Sequence, residues 1–258
     1  MAIIKSFRIK TFKKKINKIS LKNISLSFNK LNVLEDVSFD IHQSSITGLL
    51  GPNGSGKSTL FNIICGILSP NYGDVIINGI NVNKIPVFER VQKYGISLIP
   101  QTGGTFSGLT CIENLKAISE IVIKNKISMN DKIHYLLSKF ELDNIKYIKA
   151  KYLSGGQKKK LVIALALLSD PKVLLLDECF AALDILTIKM IQEIIVNLQQ
   201  ENQITICICD HQARDLLACV DVAMILSNCK IVAHGTPTDL INNINAQKAY
   251  FGNSFKIS

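Results

Sequence analysis

A glycine-rich segment, GPNGSGKST at residues 51–59, has the residue types and spacing to hold a phosphate group. Its glycines let backbone N–H groups turn inward around phosphate oxygens, and it lies between an apolar run and a helical pattern. Lys57 can then reach the terminal phosphates, and the Ser58 hydroxyl can bind Mg²⁺. We therefore expect a nucleoside-triphosphate site formed by Gly51, Pro52, Asn53, Gly54, Ser55, Gly56, Lys57, Ser58 and Thr59.

Two consecutive acids can complete this chemistry. The apolar run KVLLLDE (172–178) predicts a short buried strand that ends in Asp177 and Glu178. The first acid can hold Mg²⁺, and the second can accept a proton from a water in line with the terminal phosphate. Acids at strand ends also serve as simple helix caps, but the earlier glycine-rich loop favours the catalytic interpretation.

A second segment, LSGGQ at 153–157, also predicts an anion-binding helix start, with Ser154, Gly155 and Gly156 exposing backbone N–H groups. One nucleotide needs a single phosphate loop. We therefore expect the second segment to serve a nucleotide that is held by another subunit. His211 ends another apolar run, where a histidine more often just finds a polar partner, so its residue type alone leaves its role open.

Strand and helix patterns alternate along the chain, which predicts a mostly parallel sheet covered on both faces. Asn78-Gly79 between β-branched residues predicts a hairpin turn. Alternation predicts strands within 19–47, apolar runs predict buried strands at 46–51, 95–101, 172–178 and 204–210, and helical spacing prevails from about 102 to 168.

The composition fits an intracellular globular protein. Apolar residues make up 47% of the 258 residues, yet the longest apolar run, 161–168, is too short to cross a bilayer. The start of the chain lacks the design of a secretory signal. Seven scattered cysteines predict reduced, core-filling thiols in a reducing cytoplasm. Cys207 and Cys209 would share a strand face, but no second ligand pair has metal-site spacing.

The first 18 residues form a basic N-terminal extension with seven basic residues, no acid and interspersed apolar side chains. Such a segment can contact anionic lipid. The alternatives are a solvated extension or a start codon assigned too early.

The LSGGQ segment resembles the signature motif of ATP-binding-cassette (ABC) ATPases, and with the loop and the acid pair in this order the resemblance covers essentially residues 20–255. It implies an α/β fold: a P-loop NTPase (RecA-like) core with a small antiparallel β subdomain and an inserted helical signature subdomain. The expected domain is 19–255, with the helical subdomain at about 102–168. The implied cofactors are ATP and Mg²⁺.

The same resemblance assigns roles outside the three motifs. It makes His211 the switch histidine that holds the γ-phosphate, and Gln101 a residue that senses Mg²⁺, for which a solvent-facing loop glutamine is the alternative. Phe28 would stack on adenine, with Val33 beside it, unless Phe28 only packs in its strand. Asp184 would cross a dimer interface, with helix capping as the alternative.

The resemblance also implies an assembly. Two copies would pack head to tail. Each ATP would lie between the phosphate loop and acid pair of one chain and the LSGGQ segment of the other. Separate membrane subunits would bind this homodimer at the cytoplasmic face of the inner membrane. A single cassette without a coiled-coil insertion disfavours translation and DNA-repair relatives, so no nucleic-acid partner is expected. The group acting across the interface would be Ser154, Gly155, Gly156, Gln157 and Asp184.

Within the family, three segments resemble the ATPases of lipopolysaccharide export: CDHQARDLL (209–217), KIVAHGTPTDLI (230–241) and the ending AYFGNSFKI (249–257). Branched-chain amino-acid importer ATPases share part of this pattern but lack the ending with Phe255, and are the alternative. Phe106 matches an aromatic residue that lines the groove for the two transmembrane permease subunits; core packing is its alternative.

Four departures from the family pattern stand out. Ser107 replaces an arginine that contacts the membrane partner, while Cys179 and Ala182 replace a proline and a glycine in the turn after the acid pair. Cys229 occupies a glycine position in the last hairpin, so Asn228 is expected to take the left-handed conformation in its place. None of these departures removes a predicted ligand.

Overall fold

Two β-sheets flanked by helices form the protein, for which a computed structural model describes residues 16–252. The basic stretch 1–15 and the predicted Phe255 lie outside the described residues. No helix in the described part of the chain is long and apolar enough to cross a membrane. The strands are β1 (Asn17–Phe28), β2 (Leu31–His42), β3 (Ile46–Leu50), β4 (Tyr72–Ile77), β5 (Ile80–Asn81), β6 (Ile96–Ile99), β7 (Val173–Asp177), β8 (Thr205–Cys209), β9 (Val222–Ser227) and β10 (Lys230–Gly235).

Helices occupy the connections between these strands. Three of them, α3 to α5, fill much of the predicted helical region 102–168, whose boundaries as a subdomain stay a prediction. The helices are α1 (Lys57–Cys65), α2 (Val87–Tyr94), α3 (Cys111–Val122), α4 (Lys126–Lys139), α5 (Gly155–Leu167), α6 (Ile185–Asn202), α7 (Ala213–Cys219), α8 (Pro237–Ile241) and α9 (Ile244–Ala246), followed by a π-helical turn, Gln247–Phe251.

The larger sheet has the order β10-β9-β3-β8-β7-β6, and its strands from β9 to β6 are parallel. β3, β7 and β8 are buried at every position. Alternate residues of β7 enter two different cores, with Leu174 and Leu176 facing the helical region and Val173 and Leu175 facing the smaller sheet. Burial on both faces explains why these strands read as unbroken apolar runs.

The smaller sheet is antiparallel, with the order β2-β1-β4-β5. Asn78 and Gly79 join β4 to β5 with φ of 51° and 80°, which confirms the predicted hairpin. Cys207 and Cys209 pack into the core between the sheets, as predicted for core-filling thiols. Within residues 16–252, no cluster of three or more His, Cys, Asp or Glu side chains could hold a metal.

The turn between β9 and β10 departs from expectation. Asn228 takes a positive φ of 48°, as predicted, but Cys229 does so as well, with φ of 65°. The two residues form the whole connection between the strands, and a two-residue hairpin turn of this kind needs positive φ at both central positions. The expectation that Asn228 replaces Cys229 in the left-handed region was therefore wrong.

Candidate functional site

The candidate site lies at one edge of the larger sheet. β3, β8, β7 and β6 are adjacent and parallel, so their carboxyl ends meet at the same edge. The glycine-rich loop follows β3, and His211, Glu178 and Gln101 follow β8, β7 and β6. The strand order therefore brings together four segments that lie far apart in the sequence.

The Lys57 side chain lies inside the glycine-rich loop. Its ammonium donates hydrogen bonds to the carbonyl oxygens of Gly51 at 2.8 Å and Pro52 at 3.0 Å, and the residue is 5% exposed. None of the ion pairs formed within residues 16–252 includes Lys57. A buried cation with carbonyl partners and no carboxylate partner fits an anionic group such as phosphate.

The loop packs closely against β2. A Cβ atom at Gly56, where φ is 101°, would come within 3.0 Å of the Val33 carbonyl oxygen, so only glycine fits there. Val33 therefore lies beside the loop, and its expected place next to Phe28 and the adenine stays a prediction. Phe28 is 47% exposed at the end of β1, and its stacking on adenine stays a prediction. The Ser55 hydroxyl is buried without a hydrogen-bond partner, which a bound phosphate oxygen or water would provide.

Three predicted catalytic residues form a cluster. The Gln101 amide nitrogen donates to the Glu178 carboxylate at 2.6 Å, and the His211 Nδ1 atom lies 3.6 Å from the same oxygen. The Glu178 side chain is 14% exposed and that of His211 is 39% exposed, and Gln101 is exposed too, so the cluster opens to solvent at both partners of Glu178. Glu178 has a φ of 47°, a strained conformation for a residue with a side chain.

Asp177 is almost buried beside this cluster. The Cys209 thiol donates to Asp177 Oδ1 at 2.7 Å, which fixes the orientation of the carboxylate. Burial, with the nearby Asp177 charge, raises the pKa of the Cys209 thiol well above its ordinary value, so the thiol keeps its proton. The Asp177 carboxylate and the exposed Ser58 hydroxyl are hard oxygen donors of the type that Mg²⁺ prefers.

The LSGGQ segment forms the start of α5, as predicted. The Ser154 hydroxyl accepts from Gln157 N at 3.3 Å, and the Gln157 side chain accepts from Ser154 N at 3.0 Å. This capping box occupies Ser154 and Gln157 within their own chain. A Cβ atom on Gly156 would come within 2.9 Å of the Thr187 side chain, so the segment packs against the start of α6. Its contact with a second subunit's nucleotide stays a prediction.

Asp184 caps α6, which is the alternative that its sequence position left open. Its carboxylate accepts from the backbone nitrogens of Leu186 and Thr187, both at 3.0 Å, and from the Thr187 hydroxyl at 2.6 Å. These bonds lower the pKa of Asp184. The cap and the predicted dimer contact are compatible because the residue is exposed.

Ala182 has a φ of 57°, in the left-handed region that costs a residue with a Cβ about 1 kcal/mol. We expect Ala182→Gly to raise the free energy of unfolding by about 0.5–1 kcal/mol, measured by urea denaturation. Ala181→Gly is the matched control, because Ala181 has no such strain and glycine there should lower stability slightly. Equal changes in the free energy of unfolding for the two variants would contradict backbone strain at Ala182.

Phe106 lies on a loop whose backbone is hydrogen bonded to a buried side chain, that of Asn114. Asn114 is fully buried on α3; its side chain accepts from Phe106 N at 2.7 Å and donates to the carbonyls of Phe106, Leu109 and Thr110 at 2.9–3.1 Å. Phe106 itself is 51% exposed. Core packing, the alternative for this residue, therefore does not describe its position.

Three further residues shape the site and were not predicted from the sequence. Asn114 is a polar residue within the apolar stripe of its helix. Arg90 donates to backbone carbonyls and is one of three arginines in a lysine-rich chain. For each of them, the unusual residue type is the only sign in the sequence. Tyr250 donates to the His211 carbonyl at 2.5 Å. Burial and the Asp210 charge raise the pKa of Tyr250 to about 12, which keeps this donor protonated. The Tyr250 contact had no sequence signal.

Comparison with known proteins agrees with this geometry. The model of the ABC transporter family matches residues 34–181, more than half of the chain. The chain is 33% identical to the lipopolysaccharide export system ATP-binding protein LptB of Escherichia coli K12, over 93% of this chain and 99% of that protein. It is 34% identical to LptB of Haemophilus influenzae, with the same coverage.

Solved structures lead to the same family. An ATP-binding cassette of an ABC transporter is similar with a TM-score of 0.84 and 27% identity, covering 92% of this chain and all of that one. The ATP-binding subunit of another ABC transporter has a TM-score of 0.75 and 29% identity, over 90% and 95% of the two chains. The protein therefore has the P-loop NTPase fold and belongs to the ATP-hydrolysing, ATP-binding subunits of ABC transporters.

Proposed function

We propose that this ATPase powers lipopolysaccharide export from the inner membrane. The observation that carries the proposal is similarity over nearly the whole of both chains to proteins named as ATP-binding subunits of that export system. The resemblances at 209–217, which includes His211, and at 230–241 support the same choice.

The geometry supports a role for each residue at the sheet edge. Lys57 would bind the β- and γ-phosphates, since its buried ammonium has carbonyl partners only. Ser58, Asp177 and Gln101 would hold Mg²⁺, which neutralises charge on the phosphates when bound. Glu178 would accept the proton of the attacking water, and His211 would hold the γ-phosphate. The Glu178 carboxylate oxygen lies 3.6 Å from His211 Nδ1, which suits two groups that act on one attacking water and one phosphate.

We further propose a head-to-tail homodimer. The LSGGQ segment has backbone N–H groups at the start of a 13-residue helix, but its side-chain hydrogen bonds remain within the segment. A second subunit's ATP would therefore meet the exposed Ser154 and Gly155 from outside. Closure on two ATP molecules and reopening after hydrolysis would drive the membrane subunits.

The exposed loop with Phe106 is the proposed docking point for the two transmembrane permease subunits, at the cytoplasmic face of the inner membrane. We expect Phe106→Ala to reduce co-purification of those subunits at least tenfold, because buried aromatic anchors contribute about 2 kcal/mol or more to an interface. Tyr72→Ala, another exposed aromatic residue, is the control. Equal recovery with both variants would remove Phe106 from the interface.

The substrate is tested by purifying the tagged chain in mild detergent and identifying the membrane proteins that accompany it. Permeases of lipopolysaccharide export are expected. Recovery of amino-acid permeases would overturn the choice of substrate in favour of an importer, while leaving the ATPase assignment intact.

A further inference from the structure

A buried carboxylate joins two loops of the candidate site. Asp210 is fully buried, and its Oδ2 atom accepts from Phe180 N at 3.0 Å. Its Oδ1 atom accepts from His211 N at 2.8 Å and from Gln212 N at 3.0 Å. The first donor belongs to the segment after the acid pair, and the other two belong to the loop after β8. One side chain thus fixes both loops through backbone groups, and its Oδ1 atom also faces the imidazole, 3.7 Å from His211 Nδ1.

Gln212 reinforces this connection from the opposite direction. Its amide nitrogen donates to the Phe180 carbonyl at 3.3 Å, while Asp210 accepts from the N–H of the same residue. Both backbone polar groups of Phe180 are therefore bonded to side chains of the loop after β8. The Phe180 ring is fully buried, so this point of the segment is held firmly.

The connection sits between groups that the proposed reaction uses. Phe180 lies two residues after Glu178, whose N–H donates to the Cys209 carbonyl at 2.8 Å, and four residues before Asp184. His211 donates its own N–H to Asp210 and leaves its imidazole half-exposed, 3.6 Å from Glu178. A shift of the 178–184 segment would therefore move the His211 backbone with it.

We propose that Asp210 and Gln212 are positioning residues, which set the distance between His211 and Glu178 and link it to the 178–184 segment. The proposal rests on the roles proposed above for those two residues. In the proposed dimer, contact of Asp184 with the second subunit would then align the histidine of the same chain. Closure of the dimer interface would thus be coupled to the alignment of the residues that hydrolyse ATP.

The test is the steady-state kinetics of Asp210→Asn. An asparagine has one acceptor oxygen for two sets of N–H donors, so at least one loop is released. We expect kcat to fall about 10- to 100-fold, as for a misplaced catalytic group, while the KM for ATP changes less than about twofold. Gln212→Ala should lower kcat by about fivefold. Asp215→Asn, an acid on the following helix α7 whose side chain takes no part in these bonds, should leave kcat unchanged.

A double-mutant cycle separates positioning from general damage. In a His211→Ala background, Asp210→Asn should lower kcat by a smaller factor than in the unmodified chain, because the part of its effect that passes through the histidine is already lost. Additive losses, or an unchanged kcat in Asp210→Asn, would overturn the proposal. Full activity of His211→Ala would instead overturn the proposed role of the histidine itself. If Asp210→Asn does not fold, the same double-mutant cycle is measured with Gln212→Ala and His211→Ala.

Discussion

Replacing Glu178 by glutamine is expected to lower ATP hydrolysis by about 10²- to 10⁴-fold, the range contributed by a general base. Glutamine keeps the size of the side chain and can still accept the hydrogen bond that Gln101 donates at 2.6 Å. It cannot take a proton from water. The variant therefore removes the chemistry while it preserves the contacts of the cluster, and the measurement is phosphate release under saturating ATP.

The same variant should retain ATP and stay closed as a dimer. Light scattering with ATP is expected to show twice the mass of the chain, since the step that reopens the interface is blocked. Lys57→Ala is the control, because loss of the buried ammonium should prevent nucleotide binding and keep the chain monomeric. Turnover at the normal rate in Glu178→Gln would exclude this residue as the base.

Most of the site could be predicted because each motif carries its own physical reason. The glycine-rich loop, the acid pair and the strand-ending histidine all follow short apolar runs, and parallel strands bring their carboxyl ends to one edge. What the sequence could not supply was the strand order. β3 lies between β8 and β9, whose paired residues come 160 and 175 positions later in the sequence, and this order places the loop beside His211.

The residues that support the site were harder to predict because their partners are backbone groups. Asp210 accepts from three N–H groups in two loops, and Asn114 satisfies four backbone groups of one loop. Backbone partners leave no residue-type pattern, so neither set of bonds has a counterpart elsewhere in the sequence. Backbone strain left only an indirect signal: Ala182 and Cys229 both adopt positive φ, and both stand where the family pattern has glycine.

Arg90 is expected to be the most sensitive residue for stability. It is 3% exposed, and its guanidinium donates to the carbonyls of Ile63 and Ile64, both at 2.9 Å, of Val82 at 2.6 Å and of Ile85 at 2.9 Å. Two of these carbonyls end α1, where a positive charge is favourable. Arg90→Ala should lower the free energy of unfolding by about 3–5 kcal/mol, because the carbonyls of Ile64 and Ile85 lose a charged donor, at about 1.5–3 kcal/mol each. The carbonyls of Ile63 and Val82 keep backbone donors, Gly66 N and Ile85 N.

Two variants define the cause of that loss in urea unfolding. Arg90→Lys keeps the charge but lacks the planar guanidinium with its several donors, so we expect its free energy of unfolding to fall by about 2 kcal/mol. Lys93→Ala, which removes an exposed partner of Glu89 from the same helix, should change stability by less than about 0.5 kcal/mol. If Arg90→Ala lowers the free energy of unfolding by less than about 1 kcal/mol, the guanidinium hydrogen bonds do not stabilise the fold as we expect.

The Arg90 bonds should also affect nucleotide binding, since α1 begins at Lys57 and α2 leads into the strand that precedes Gln101. Arg90 fixes the carboxyl end of α1, the helix that begins at Lys57, to α2. We therefore expect Arg90→Lys, at a temperature where it is fully folded, to weaken ATP binding several-fold. Unaltered affinity in a folded Arg90→Lys would show that α1 is positioned by the glycine-rich loop and the sheet alone.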